Sequence, residues 1–529
     1  MNLNFRVVKY TVSLPNVLAI AGSFLFILAF FSKLFYHDID TFFSADALYL
    51  PSIYKDLFID GNSLKEWNLN PAPNFFPDMI LYFMLMCICK QSFIISSFVF
   101  SIIQYAVILY LVSRIFRAIL PNVSKHWISV INLLLSLFLM EYLFFTKEYF
   151  YSFYLLSNAF HTGSFVMSLF CFLLSLRYYQ KNTYKMLLLI FIVSVLCIIS
   201  DRLFIVLYCI PAFVSAFFLI NKVRGKLVLA FLITLVITVV TGLFLFNWIS
   251  NAHYFNIDNP HQFLAFEGIK SSFELFSGQI LIYLSEFGCK SISIYLFLLS
   301  FIIMIFLFFK TRKEGNILIY YYSVFSIVFS LVVLSAPILN GNYTGYDTLR
   351  YNIYPFYLMA INIPLFLAYS IKKPLFLMYG KYAITVLSVV YVSVAVSSID
   401  RSGLRNYFTY YPEKVKAIDQ LSQQYGLLQG VGNYWEAKTI TLFSKKNVKV
   451  YAVFENLSMF CHVSNNDWFF NGRFNFVLLN RFQDTTLYKK NGLMEEPIYA
   501  NKDVLLIKTN IFTYKKDKGG LPINCSGSE

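Results

Sequence analysis

Charge is what this sequence has least of. Only 13% of its 529 residues are Asp, Glu, Lys or Arg, about half the share of an ordinary soluble domain. With 58% hydrophobic residues and a mean hydropathy of +0.62, a soluble globule is excluded and a multi-pass membrane protein is implied. Motifs are scarce too. There is no Gly-rich phosphate loop, no HExxH, no nucleophile elbow and no internal repeat, which argues against a soluble ATP-driven or hydrolytic centre. The eight cysteines lie mostly in apolar runs, and their one close pair, Cys87 and Cys89, lacks metal or redox spacing. They read as small apolar fillers. The spans carry no row of buried charges, Glu141 and Lys381 being exceptions, so an ion or proton pathway is disfavoured.

What is present is a series of apolar runs. Eleven spans are predicted, at 16–36, 92–113, 127–145, 161–179, 185–199, 203–220, 227–248, 290–309, 316–339, 351–370 and 375–397. The net charge of +15 could point to nucleic acid, but many cations sit in the short links between runs. These are Arg114, Arg117 and Lys125, then Arg177, Lys181 and Lys185, then Lys222, Arg224 and Lys226, then Lys310, Arg312 and Lys313, then Lys372 and Lys373. Such links mark the cytoplasmic side and make a nucleic-acid partner unexpected. With Arg6 and Lys9 they place the N-terminus inside and everything after 397 outside. The first run is too long for a cleaved signal and reads as a retained helix. Residues 77–90 are too short to span and are placed at the outer surface, a short true span being the alternative.

Residues 1–397 thus form the membrane domain, with external loops 37–91 and 249–289. From 398 charge returns and apolar stretches shorten. Helical patterns at 414–425 and 435–444 alternate with strand-like 448–454, 474–480 and 503–509, predicting an external α/β domain over 398–515, with 516–529 disordered. Low charge, Phe- and Tyr-rich spans and the lack of a eukaryotic retention signal favour a bacterial inner membrane with a periplasmic outer face.

The acids concentrate in the first external loop. Residues 37–78 hold seven acids against two lysines in an otherwise basic chain. Asp38, Asp40 and Asp46 follow closely on the membrane exit, where a carboxylate can deprotonate a sugar or lipid hydroxyl. The plainer reading is that they solubilise the loop and cap its helix. Carboxylates also suit a hard cation, Mg or Mn, although none is required; no zinc site is expected. Tyr49 and Trp67 are candidate walls for a bound sugar, Trp67 also fitting an ordinary interfacial role.

The stretch DALYLPSIYKDLF from Asp46, followed by NPAPNFFPDMILYF from Asn70, resembles the first external loop of GT-C fold membrane glycosyltransferases. The likeness is to the protein O-mannosyltransferase and aminoarabinose-transferase branch. Arg350-Tyr351 with Pro355 and Pro364 is similar to that family's Arg-Tyr-x-x-Pro element. Ala47 stands where the family has a second acid, so Asp38 or Asp40 would be the partner acid. The resemblance implies transfer of a sugar from a polyprenyl-phosphate donor to a hydroxyl of an external lipid, glycan or protein acceptor, with Asp46 as base. The departing phosphate would meet cations at the outer surface. Arg350 and Arg202 are the first candidates, His161 at a helix start the third and Lys270 the weakest. For Arg202 the competing role is a hairpin ion pair with Asp201, for His161 a packed polar residue. A lipid-linked glycan polymerase or ligase, or a polysaccharide or lipid transporter, is the alternative.

Overall fold

The computed structural model describes residues 14–121, 123–144, 150–252, 254–257, 266–285, 292–341, 343–370, 374–455, 457–480, 497–500 and 504–514. The predicted tail at 516–529 lies outside them.

The count of eleven spans is corrected. Among the described residues seven helices are long and apolar enough to cross a membrane: Leu14–His37, Phe93–Ile119, Trp127–Phe144, Thr162–Lys181, Gly225–Asn251, Ile292–Glu314 and Ile317–Leu339. An eighth results if Tyr382–Ser397 and Arg401–Phe408, bent by 63°, count as one. The runs at 185–199 and 203–220 become Lys185–Ser200 and Ile205–Phe217. At 1.5 Å per residue the first of these is roughly 24 Å long, short of a hydrocarbon core of about 30 Å. The run at 351–370 is broken into Tyr354–Tyr357 and Met359–Ser370, with Pro355 in the first turn of one and Pro364 inside the other. Hydropathy sees a continuous apolar run in each case and does not see where the helix stops.

Small residues let these helices approach closely. Many buried serines return their hydroxyls to the preceding turn, as Ser101 does to Ser97 at 2.8 Å and Ser136 to Asn132 at 2.7 Å, which satisfies those hydroxyls inside the apolar interior. Outward-facing Leu188, Val236, Val240, Phe244, Ile302 and Phe306 are exposed, as a lipid-facing surface requires. Glu141 is fully buried but useful. It accepts the backbone N–H of Ser293 at 2.9 Å and the Ser293 hydroxyl at the start of the Ile292–Glu314 helix, where the helix dipole favours negative charge.

The bundle has two distinct ends. At one, Gln180 donates to the Ala118 carbonyl, Tyr178 to Leu227 and Lys222 to Arg312, so the basic links gather there. At the other, the Tyr354 hydroxyl donates to the Phe160 carbonyl at 2.7 Å, just ahead of Thr162–Lys181, and Gly163 of that helix packs on Asp78 of the first loop. The Phe75–Ile88 helix starts at this second end. At its start the Phe76 N–H reaches Ser200 Oγ at 2.9 Å, and near its finish Cys87 lies 3.4 Å from the Tyr54 hydroxyl. Exposed Ile80, Met84 and Ile88, one turn apart, form its outer stripe.

The C-terminal residues build a sheet at that same end. Its strand order is Lys449–Ala452, Gln429–Gly432, Phe474–Asn480, Val504–Phe512, Pro497–Ala500, the first three parallel and the rest antiparallel. Gln429–Gly432 escaped prediction because it is short and half glycine. A Cβ on Gly430 would stand 2.3 Å from the Phe476 ring. A second, three-stranded sheet ties the regions together: Trp67–Leu69 lies between Asn256–Ile257 and Ser464–Asn465. Cys461, in this region, is disulfide-bonded, which corrects the reading of every cysteine as a filler. Cys87, Cys89, Cys171, Cys197 and Cys209 are free.

Candidate functional site

Asp46 stands in the turn between the Ile39–Phe42 and Tyr49–Tyr54 helices. Buried Phe42, Phe43, Leu48, Leu50 and Ile53 anchor both sides, so the turn is held while the carboxylate stays 29% exposed. Oδ2 lies 3.6 Å from Nη1 of Arg350. Oδ1 accepts the Tyr434 hydroxyl at 2.6 Å. Two residues singled out in the sequence, 304 positions apart, therefore face each other.

Arg350 lies in the last turn of a 3-10 segment, Tyr346–Tyr351, just before Pro355. Its Nη2 donates to the Tyr351 hydroxyl at 3.3 Å and its guanidinium carbon lies 5.2 Å from the centre of the Tyr351 ring. Its Nε is buried without a hydrogen-bond partner. An open buried donor of this kind is uncommon. The Tyr351 ring continues to His161 at 5.0 Å between centroids.

His161 adopts a left-handed backbone conformation (φ 65°) ahead of the Thr162–Lys181 helix. Its Nδ1 lies 2.8 Å from Oδ2 of buried Asp201, which also accepts from Ser164 Oγ at 2.7 Å and the Leu203 N–H at 3.0 Å. Burial works to raise the Asp201 carboxyl, but the His161 interaction and these donors outweigh it and hold it below the ordinary value. Asp78 packs on the same helix start. A Cβ on Gly163 would meet its Oδ1 at 2.1 Å, so only glycine admits it. Burial first, then the Asp201 charge, push Asp78 up to about 7.

The other sequence-named residues stand elsewhere. Asp38 accepts the Tyr142 hydroxyl at 2.7 Å, and Asp40 accepts that of Tyr410. The acidic loop thus sends its first three carboxylates to separate partners. Among the described residues no group of three or more His, Cys, Asp or Glu side chains could hold a metal. Arg202 lies with its guanidinium carbon 4.6 Å from the Phe246 ring. Lys270 is 88% exposed and 3.9 Å from Glu274. Tyr49 is buried, its hydroxyl on the Pro73 carbonyl at 3.1 Å. Trp67 is fully buried and donates its indole N–H to Asp56 at 2.7 Å.

Sequence reasoning missed the C-terminal contribution. The helix Tyr434–Phe443, N-capped by Asn433 on the Glu436 N–H at 3.0 Å, brings Tyr434 to Asp46. Lys438, one turn on and 6% exposed, donates to the Ala45 carbonyl at 3.1 Å and the Tyr434 hydroxyl at 3.3 Å. The only sequence signal is a Tyr and a Lys at i, i+4 on a helix otherwise packed through Ala437, Ile440 and Phe443.

These features define a polytopic helical membrane protein with a small C-terminal sheet region. No protein-family model and no curated protein matches the chain.

Proposed function

We propose that the protein is a membrane glycosyltransferase that moves a sugar from a polyprenyl-phosphate donor to a hydroxyl of an external lipid, glycan or protein acceptor. The observation that carries this reading is the facing pair Asp46 and Arg350, part-exposed at the bundle end opposite the basic links. A transfer of this kind needs a base for the acceptor proton and a cation for the leaving phosphate, side by side at the membrane surface.

Asp46 takes the acceptor proton as the hydroxyl oxygen bonds to the anomeric carbon. The bond from that carbon to the phosphate oxygen breaks, and its electrons leave with the phosphate. Negative charge grows there in the transition state, and the guanidinium of Arg350 stabilises it best at that moment. His161, joined to Arg350 through Tyr351, lines the same face. No step needs a metal supplied by these residues. Orientation follows from charge: basic links face the cytoplasm, so the site and the sheet domain face outward, in the bacterial reading the periplasm. The disulfide at Cys461 agrees, since such bonds persist in oxidising compartments.

The test uses purified protein in liposomes with labelled polyprenyl-phosphate sugars. Transfer of label to an added hydroxyl acceptor supports the reading. No transfer from any such donor, with movement of a lipid or polysaccharide across the bilayer, would establish the transporter instead.

A further inference from the structure

The C-terminal domain reaches the Asp46 carboxylate directly. Tyr434 ties Oδ1 at 2.6 Å, leaving Oδ2, beside Arg350, as the oxygen free to act. Lys438 holds Tyr434 from behind at 3.3 Å, its ammonium nitrogen 4.4 Å from the Tyr434 ring centre. It also holds the backbone one residue before Asp46. A lysine so deeply buried, with two neutral oxygens as its hydrogen-bond partners, is costly to keep unless it positions something.

We propose that Tyr434 and Lys438 are positioning residues for the Asp46 carboxylate, so that the C-terminal domain is a wall of the transfer site and not a separate module. This rests on Asp46 being the base. Titratable groups facing Lys438 and Tyr434 are Asp46, Arg350, Tyr49 and His462, whose ring lies 5.9 Å from that of Tyr434, and Lys438 lines one pocket with Lys55, Asp56, Asp60 and Lys449. Burial lowers Lys438 to about 7, with Asp46 opposing, so the amine is poised to lose its charge near neutrality.

A donor on Oδ1 favours the ionised carboxylate. Tyr434→Phe should therefore lower kcat by roughly 10- to 100-fold, the worth of a hydrogen bond to a charged group, leave the donor KM unchanged and move the acid limb of the pH–rate profile upward. Lys438→Met, which keeps volume but removes the cation, should move the same limb in the same direction. A merely structural role would lower thermal stability without moving that limb. Asp46→Asn serves as the reference. If it is inactive while both other variants keep wild-type kcat and an unmoved limb, the positioning role is overturned. If Asp46→Asn itself retains full activity, the choice of base fails, and the positioning role with it.

Discussion

The carboxylate of Asp56 accepts the indole N–H of Trp468 at 2.6 Å, joining the first loop to the C-terminal domain across 412 positions of sequence. The same buried carboxylate accepts Trp67 Nε1, Asn62 Nδ2 and Asn465 Nδ2, each at 2.7 Å. Among the described residues four donors and no cation bond this buried acid, so the acid is a hub. Asp56→Ala would strand the donors of two indoles and two amides at the centre of the three-stranded sheet. We expect a loss of roughly 3 kcal/mol or more, read as a lower midpoint of thermal unfolding and faster proteolysis between the loop and the domain. An unchanged midpoint would show that the hub does not hold the two together.

Lys438 makes stability depend on pH with a definite sign. Its pKa is near 7 in the folded protein against 10.5 for the free side chain. Between those values the unfolded chain binds more protons than the folded one, so stability rises with pH from about 7 to about 10 and the charged amine's penalty is constant below. Unfolding midpoints measured across that range should rise for the wild type. In Lys438→Met the part of the rise owed to this residue should vanish. An equal rise in both would place the titration elsewhere.

Arg350 is assigned to the leaving phosphate, where charge develops during reaction. Arg350→Ala should then lower kcat by roughly 10²- to 10³-fold and raise the donor KM. Arg350→Lys should recover part of the loss, since a point charge lacks the fork that matches phosphate. Steady-state kinetics with a polyprenyl-phosphate sugar decides it. A variant altered only in acceptor KM would contradict the assignment.

The sequence was legible where one signal dominates. Apolar runs mark the seven long helices found among the described residues, and Asp46 and Arg350 each stand out in a short motif, although nothing in the sequence sets them face to face. It was opaque where distant segments combine. Trp67 reads as an interfacial aromatic, yet Asp56, Asn465 and Trp468 bury it. Asp38 and Asp40 look equivalent to Asp46 by position, but Tyr142 and Tyr410 occupy them. Lys438 lies in a stretch that reads as an ordinary helix of a separate domain, and its burial depends on how that domain seats against Ala45. Helix ends fared likewise: hydropathy joins 351–370, while the chain there forms two helices that part at Leu358.

The central claim is that Asp46 removes the acceptor proton, and Asp46→Asn tests it with the least disturbance, because the amide keeps the shape and an acceptor oxygen for Tyr434. Labelled-sugar transfer should fall by roughly 10²- to 10⁴-fold, the usual worth of a general base, with donor binding retained and the unfolding midpoint little changed. Transfer at the wild-type rate by the folded variant would contradict the account.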